Sequence, residues 1–158
     1  LVSGGESDLG ADSLQLNVEW KGAFHLGKHA FVSKLDFTRM YIDKGEESVK
    51  IAQLGGFLNL SGYNARALTG PHKLFAALIY QYNLRGGVFR KTQIPFYLGL
   101  STEAGNVWSQ EDEIDLDDLI LAGSVYLGTD TRMGPIALGY GFNEENEKSV
   151  YFYLGYKL

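Results

Sequence analysis

Apolar and polar residues alternate with a period of two along most of this chain, in segments of about ten residues. The first segment shows the pattern most simply, with Leu14, Leu16, Val18 and Trp20 on one face and Gln15, Asn17, Glu19 and Lys21 on the other. Successive side chains of a β-strand point to opposite faces of a sheet. The alternation therefore predicts an all-β fold whose strands have one apolar face and one polar or small face.

The pattern recurs often enough to predict about eight antiparallel strands. They cover residues 14–21, 31–41, 48–54, 74–84, 94–103, 119–130, 136–142 and 151–158. The third strand is weak, and the glycine-rich stretch after it predicts a long loop, Gly55–Gly70. Short turns alternate with longer polar connections along the chain, which is typical of outer-membrane β-barrels.

Two sets of residues follow from the alternation in the second half. We expect an apolar set to face lipid: Leu74, Leu78, Tyr80, Phe96, Leu98, Leu121, Val125, Leu138 and Leu154. We expect a set of small residues to face inward: Ala77, Gly99, Ser101, Ala122, Ser124, Gly128, Ala137, Gly139, Gly141 and Gly155. The side chains of an eight-stranded barrel fill its interior, so small inward residues favour a wider barrel that holds an inserted segment.

Composition narrows the class of protein. The 158 residues suit a single domain, residues 1–158, and the 20 glycines, 10 tyrosines and 9 phenylalanines are typical of strands and turns. The absence of cysteine excludes disulfides and thiolate chemistry. The net charge of -5 argues against a nucleic-acid partner, because neutralising phosphates requires a basic face.

Membrane insertion would have to use strands. No apolar run reaches the roughly 18 to 20 residues of a transmembrane helix. Closed strands are the only other structure that satisfies every backbone group in lipid. Residues 1–6 lack the charged and apolar regions of a signal peptide, and a barrel is expected to need one upstream.

No residue pattern predicts catalysis, a metal or a cofactor. The segment 99–103 begins like a nucleophile elbow, but Glu103 replaces the final glycine and a strand cannot supply the strand-to-helix turn. His25 and His29 lie across a turn rather than on one helix face, which favours solvated histidines over a metal site. The acidic run at 111–118 lacks the glycine and spacing of an EF-hand, so we interpret it as a solvated loop, with loose divalent-cation binding as the alternative.

Three short motifs carry a resemblance to a known family. Leu60-Ser61-Gly62-Tyr63 is similar to a Val-Arg-Gly-Phe/Tyr loop motif, residues 102–108 to an Asp-x-Gly-x-Val-Trp strand end, and residues 129–141 to a penultimate hairpin. Together they resemble the C-terminal half of the bacterial surface antigen superfamily of outer-membrane barrels, over nearly the whole chain from Leu14. The most similar subgroup is the barrel fused to patatin-like phospholipases.

The resemblance implies a transmembrane antiparallel β-barrel in the bacterial outer membrane, with this chain as half of sixteen strands. It also implies that the barrel anchors or translocates an attached N-terminal domain, so that enzymatic activity resides outside this chain. The implied partners are outer-membrane lipids and the barrel assembly machinery. In the family, the loop that carries the motif at residues 60–63 enters the lumen.

Two positions depart from the family's pattern. Ser61 stands where the family's loop has an arginine, and Ile79 stands where the barrel wall has an acidic residue. The second wall acid remains as Glu103. Losing an arginine and an acid together avoids leaving one buried charge without its partner, which is strongly destabilising.

Polar residues are expected to line the lumen of the barrel: Glu103, Arg66, Asp130 and Arg132. A carboxylate inside a barrel is costly without a hydrogen-bond donor. We therefore expect Glu103 to accept a hydrogen bond from Arg66, Arg132 or Tyr126.

Two questions stay open at this point. A soluble lipocalin-like barrel that binds a small apolar ligand is the alternative function, and it would place apolar residues inside and charges outside. The first and last strands of half a barrel are also open edges, which lipid forbids unless other strands pair with them. Missing strands, a homodimer that closes a sixteen-stranded barrel, or self-closure with the loop expelled would each remove these edges.

Overall fold

The computed structural model describes residues 2–4, 13–42, 51–84, 95–132 and 134–155, with the backbone alone for 2–4, 13, 14, 41 and 42. These parts of the chain are all-β apart from a 3-10 turn at Glu111–Glu113. None of their helical segments is long and apolar enough to cross a membrane. In chain order the strands are β1 (Val2–Gly4), β2 (Ser13–Leu26), β3 (His29–Ile42), β4 (Ala52–Leu54), β5 (Leu68–Gly70), β6 (His72–Asn83), β7 (Phe96–Trp108), β8 (Ile120–Thr131), β9 (Gly134–Asn143) and β10 (Lys148–Leu154).

One large antiparallel sheet contains seven long strands and the short β1, in the order β1-β2-β3-β6-β7-β8-β9-β10. Every neighbouring pair in this sheet is antiparallel. β4 and β5 form a separate two-stranded ribbon within the connection from β3 to β6. The long strands thus follow one another up and down the sheet, and the alternation within each strand assigns its residues to two common faces.

One predicted strand belongs to a different sheet, and two strands, β1 and β5, were not predicted. The described part of the third predicted strand, residues 48–54, forms β4, which pairs with β5 instead of joining the large sheet. Because β5 lies inside the predicted loop Gly55–Gly70, the irregular part is shorter, residues 55–67. β1 joins the large sheet, but its three residues are too few to show a period in the sequence.

The large sheet is open, so the described residues do not form a closed barrel. Within them, β1 pairs with β2 alone and β10 pairs with β9 alone. The prediction of an antiparallel all-β fold is confirmed. The predicted turn at 85–91, the start of the third predicted strand and the end of the last one lie outside the described residues.

The two faces of the sheet differ in polarity. The outer face exposes large apolar side chains, among them Trp20, Phe24, Leu35, Leu78, Leu98, Leu100, Leu121, Val125, Leu127, Leu138, Phe142, Val150 and Phe152. The inner face buries large apolar side chains, Phe75, Ile79 and Tyr126, together with small and polar residues, among them Ala77, Gly99, Ser101, Glu103, Ser124, Ala137, Gly139 and Gly141. The predicted division into two faces is confirmed, since the expected outward residues are either exposed (Leu78, Leu98, Leu121, Val125, Leu138, Leu154) or half-buried (Leu74, Tyr80, Phe96).

Glycines on the inner face make room for tyrosine rings of the neighbouring strand. Gly99 lies opposite Tyr126 in the β7–β8 register, and a Cβ on Gly99 would overlap the Tyr126 ring. Tyr97 and Gly128 repeat the arrangement with the strands exchanged. Each ring covers the gap that the missing side chain leaves, a device that stabilises glycines in sheets.

We predict that Gly99→Ala lowers the free energy of unfolding by about 1 to 3 kcal/mol, because overpacking forces the buried Tyr126 ring to move. Thr102→Ala, on the exposed face of the same strand, is the matched control and should change it by less than about 0.5 kcal/mol. Urea titration of the refolded chain, followed by tryptophan fluorescence, measures both variants. Equal stability of the two variants would contradict the packing of Tyr126 on Gly99.

Candidate functional site

The inner loop, residues 55–67, connects β4 to β5 and lies against the inner face of the large sheet. The Gly55 N–H donates to Asn59 O at 2.9 Å, and the Arg66 N–H donates to Gly55 O at 3.3 Å, so the loop returns to its own start. Gly55 has a φ of 119°, and a Cβ there would lie 2.6 Å from Asn64 O. Only glycine fits this bend, because a side chain would meet both backbone strain and a clash.

Glu103 on β7 is the residue through which the sheet binds the inner loop, and its side chain is 3% exposed. Oε2 accepts the backbone N–H groups of Leu60 at 2.7 Å and Ser61 at 2.8 Å. Oε1 accepts the hydroxyls of Ser61 at 2.8 Å and Ser101 at 2.5 Å. We call this carboxylate and its donors the Glu103 clasp.

A chain of hydroxyl groups on the sheet extends the Glu103 clasp. Ser101 Oγ lies 2.7 Å from Ser124 Oγ on β8. A hydroxyl carries one proton and that of Ser101 goes to Glu103, so Ser124 donates to Ser101. Hydrogen bonds to a carboxylate are stronger than those between neutral groups. Four donors therefore offset the cost of taking the Glu103 carboxylate out of water.

Apolar packing holds the inner loop on either side of the clasp. The Phe57 ring meets Tyr126 edge-on, with ring centroids 5.1 Å apart. Phe57 also covers Gly139, where a Cβ would come within 2.6 Å of the ring. Leu60 is 0% exposed and belongs to the same buried cluster as Phe75 on β6. The small residues of β9 and the rings of β6 and β8 together shape the surface on which the loop rests.

Ser61 and Ile79 both contribute to the seating of the loop. Ser61 donates its hydroxyl and its N–H to Glu103. Ile79 is buried in a cluster against which Phe57 and Leu58 pack. The inner face is therefore apolar where it meets the apolar part of the loop, and it presents a carboxylate where the loop supplies donors.

The tip of the inner loop is bound to the last strand. The Gly62 N–H donates to the Tyr151 hydroxyl at 2.9 Å, and that hydroxyl donates to Tyr63 O at 2.6 Å. Ser149 on the same strand donates its hydroxyl to Gly62 O at 2.7 Å. Because both carbonyls and the N–H at the tip are paired, the tip is held by β10 through its backbone.

Two further side chains secure the margins of the loop. Lys34 Nζ on β3 donates to Leu58 O at 3.2 Å. The Tyr63 hydroxyl donates to the Glu145 carboxylate in the β9–β10 connection, and partial burial together with that carboxylate raises the pKa of Tyr63. The inner loop thus contacts β3, β7 and β10 at once and spans the inner face of the sheet.

The structure brings part of the predicted site together. The loop motif at residues 60–63 meets Glu103 on the inner face. Arg66 and Arg132 have exposed side chains and do not join them. Asp130 lies near the turn between β2 and β3, at the end of β8 that is remote from the clasp. Of the four polar residues predicted to line the lumen, Glu103 therefore contacts the loop, whereas Arg66, Asp130 and Arg132 lie apart from it.

The donors predicted for Glu103 are wrong. The Glu103 carboxylate accepts hydrogen bonds from Leu60, Ser61 and Ser101, and none from Arg66, Arg132 or Tyr126. The Tyr126 hydroxyl accepts a hydrogen bond from Gln81 Nε2 at 2.8 Å. The loop backbone lies close enough to β7 for its own N–H groups and the Ser61 hydroxyl to donate to the carboxylate directly. A long side chain is therefore not needed to bridge the distance.

Four residues support the loop directly or through Glu103 without a role predicted for them: Ser101, Ser124, Ser149 and Tyr151. Alternation predicts that Ser101, Ser124 and Tyr151 face inward, whereas Ser149 precedes the predicted last strand and has no such signal. Their role depends on strands that are remote in the chain, so spacing along the sequence cannot reveal it.

Charged side chains line the inner face beyond the loop. Glu19 stands opposite Asp36 and Lys21 opposite Lys34 in the β2–β3 register. Like charges in such pairs are unfavourable, and Lys73 on β6 relieves one pair by an ion pair with Asp36. In the part of the chain that the structure describes, no group of three or more His, Cys, Asp or Glu could hold a metal ion. The charged side chains of β2, β3 and β6 on the inner face are suited to contact with water.

No family model matches this chain, and no curated protein matches it.

We predict that Glu103→Ala lowers the free energy of unfolding by about 2 to 6 kcal/mol, because two buried N–H groups lose their acceptor at roughly 1 to 3 kcal/mol each. Glu103→Gln keeps one side-chain carbonyl as acceptor and should lose less. Urea titration measures the loss, and limited proteolysis within residues 55–67 reports release of the loop.

Thr102→Ala is the control, because Thr102 is next to Glu103 in the chain but its side chain is exposed on the other face of β7. If Glu103→Ala matched this control in both stability and cleavage, the clasp would not be what holds the loop.

Proposed function

We propose that this chain, residues 1–158, is a domain of a transmembrane β-barrel in the bacterial outer membrane, and that the barrel anchors or translocates an attached N-terminal domain. Its outer face contacts lipid and its inner face lines the lumen, which holds the inner loop. The observation that carries the proposal is the reversed polarity of the faces. Large apolar side chains are exposed outside, while Glu103 and its serine partners are buried inside.

The outer face favours an apolar surrounding. Leu98, Leu121 and Leu138 are 41%, 57% and 59% exposed, and similar residues stand on every long strand of the sheet. Burying one such side chain is worth about 1.5 to 3 kcal/mol. Soluble monomers rarely expose contiguous apolar patches of more than a few hundred Å². A face that is apolar on strand after strand is better matched by lipid than by a partner protein of limited contact area.

The inner face is mixed, because it carries charged residues as well as buried apolar ones. A lipocalin-like barrel needs an apolar interior for its ligand, but here Glu19, Lys21 and Asp36 share the inner face with Glu103. Membrane barrels have a polar interior, which these residues fit. The polarity of both faces thus weighs against the soluble alternative, and the loop occupies space that a ligand would need.

The inner loop supports the resemblance to the surface antigen superfamily. The resemblance implies that the loop motif enters the lumen and meets an acidic residue of the wall, and here Ser61 binds Glu103. A loop tied to three strands suits a stable anchor, whereas translocation would require the loop to leave its seat. The attached domain would supply any catalytic activity, and the assembly machinery would insert the barrel.

We predict that Leu98→Arg lowers the free energy of unfolding in phosphatidylcholine vesicles by about 2 to 4 kcal/mol, because a charge on the lipid face is costly near the midplane. Leu116→Arg is the matched control. Leu116 is 67% exposed in the β7–β8 connection, outside every strand, and its replacement should cost less than about 0.5 kcal/mol. Urea titration of vesicle-refolded protein measures both variants.

Vesicle flotation provides the second measurement. The chain should float with vesicles after a carbonate wash and should aggregate when refolded without lipid or detergent. A monomer that stays folded in plain buffer, with Leu98→Arg and Leu116→Arg equally stable, would reject the membrane barrel.

A further inference from the structure

The largest fully buried side chains of the described residues lie in the β4–β5 ribbon and the inner loop. Leu54 on β4 and Leu60 and Ser61 on the loop are each 0% exposed. Segments that move within a folded protein have few buried apolar contacts, because they open at a low free energy. The burial of the ribbon and the loop therefore argues against a segment that leaves the sheet easily.

One apolar cluster joins the ribbon, the loop and the sheet. Leu54 and Leu60 pack in it with Phe75 and Ala77 of β6 and Ile120 of β8. Partly buried side chains of β5, the loop, β7 and β8 surround these buried residues. Release of the loop would expose the sheet's share of this cluster together with the loop's own side chains, which is unfavourable in proportion to the apolar area exposed.

The C-terminal end of the ribbon is tied closely to the sheet. Only Pro71 separates β5 from β6, and the proline ring fixes φ. A Cβ on Gly70 would lie 2.6 Å from Val107 Cγ1 and 2.9 Å from Trp108 O, so the ribbon touches β7 at this point. This end of the ribbon therefore offers no free length of chain about which the loop could swing.

Polar contacts bind the loop to strands on both sides of the sheet. Lys34 on β3 accompanies the Glu103 clasp on β7, and Ser149 and Tyr151 on β10 hold the tip. β6 lies between the first two of these strands, and β8 and β9 lie between the last two. The loop would have to break contacts with all three strands to leave, so its release approaches unfolding of the sheet itself.

We infer that the β4–β5 ribbon and the inner loop, residues 52–70, are a permanent part of the folded core, so that the proposed barrel anchors its attached domain and passes no polypeptide through the seat of the loop. The ribbon and the loop then form one cooperative unit with β6, β7 and β8. The step from a fixed loop to an anchor rests on the proposed membrane barrel.

Hydrogen exchange of the vesicle-bound chain, followed by mass spectrometry at several urea concentrations below the unfolding midpoint, tests the inference. Every backbone N–H from Leu58 to Gly62 donates a hydrogen bond, so its exchange requires an opening. We expect residues 58–62 to exchange within about tenfold of β7, with the same dependence on urea, because one cooperative unit opens at one free energy. The exposed connection at residues 109–119 is the internal reference and should exchange at least about a hundredfold faster.

A variant that weakens the sheet without touching the loop provides a second measurement. Leu98 lies on the outer face of β7, away from the side that the loop covers. Leu98→Ala should speed the exchange of residues 58–62 and of β7 by the same factor, about five- to fiftyfold, through lost apolar burial in lipid. Thr102→Ala, on the same face of β7, is the matched control and should change both by less than about twofold.

A loop that opens by itself would give different results. Residues 58–62 would exchange at least about a hundredfold faster than β7 and with a shallower dependence on urea, because a local opening exposes little surface. Leu98→Ala would then speed the exchange of β7 and leave that of the loop unchanged. Either result would overturn the inference.

Flotation separates this outcome from that of the proposed function. Chains that float with vesicles, but whose loop exchanges independently of β7, refute the fixed loop and leave the membrane barrel intact. Chains that do not float refute the membrane barrel, and exchange of the folded chain in buffer then decides whether the loop belongs to the core.

Discussion

The requirement that a buried carboxylate have donors organises the inner side of this structure. Glu103 is almost inaccessible to water, and the inner loop supplies three of its four hydrogen bonds. The dependence is mutual, because the N–H groups of Leu60 and Ser61 are equally buried and need an acceptor. The inner loop and β7, which lie far apart in the chain, are therefore held together because the carboxylate and the N–H groups would each be buried without a partner if they separated.

The small residues of the inner face are the second condition for this arrangement. Gly139 leaves the space that Phe57 occupies, and a Cβ on Gly141 would lie 2.8 Å from the backbone N of Gly62. Larger side chains on β9 would hold the loop away from the sheet and lengthen the hydrogen bonds of the Glu103 clasp. The glycines thus act through the space they leave, while Tyr126 and Tyr97 fill the gaps that the loop does not reach.

The polarity of the sheet connects the loop to the surroundings that we propose. A sheet with charges and a loop on one face and exposed leucines on the other is poorly suited to water on both sides. The loop covers only the inner face, so the exposed apolar side chains of the outer face have no covering segment among the described residues. The open edges at β1 and β10 set a further condition, since a lipid surrounding requires their backbone groups to be paired.

Much of the fold could be predicted from the sequence, because the direction of a strand side chain is a local property. Alternation identified the long strands, their two faces and the inward orientation of Glu103. It failed where strands are short. Residues 52–54 form a strand that lies outside the large sheet, whereas β1 belongs to the large sheet. The sheet to which so short a strand belongs depends on its pairing partner, because three residues show no clear period.

The candidate site was predictable only in part. The resemblance singled out the loop motif, and the structure brings it to Glu103, but Arg66 and Arg132 were wrong as donors. Leu60 and Glu103 are 43 residues apart, and no pattern in the sequence measures how closely a backbone approaches a distant strand. The sequence by itself determined which residues face inward. Only the tertiary structure decided which of them meet, because contact depends on how remote segments pack, and side-chain direction does not.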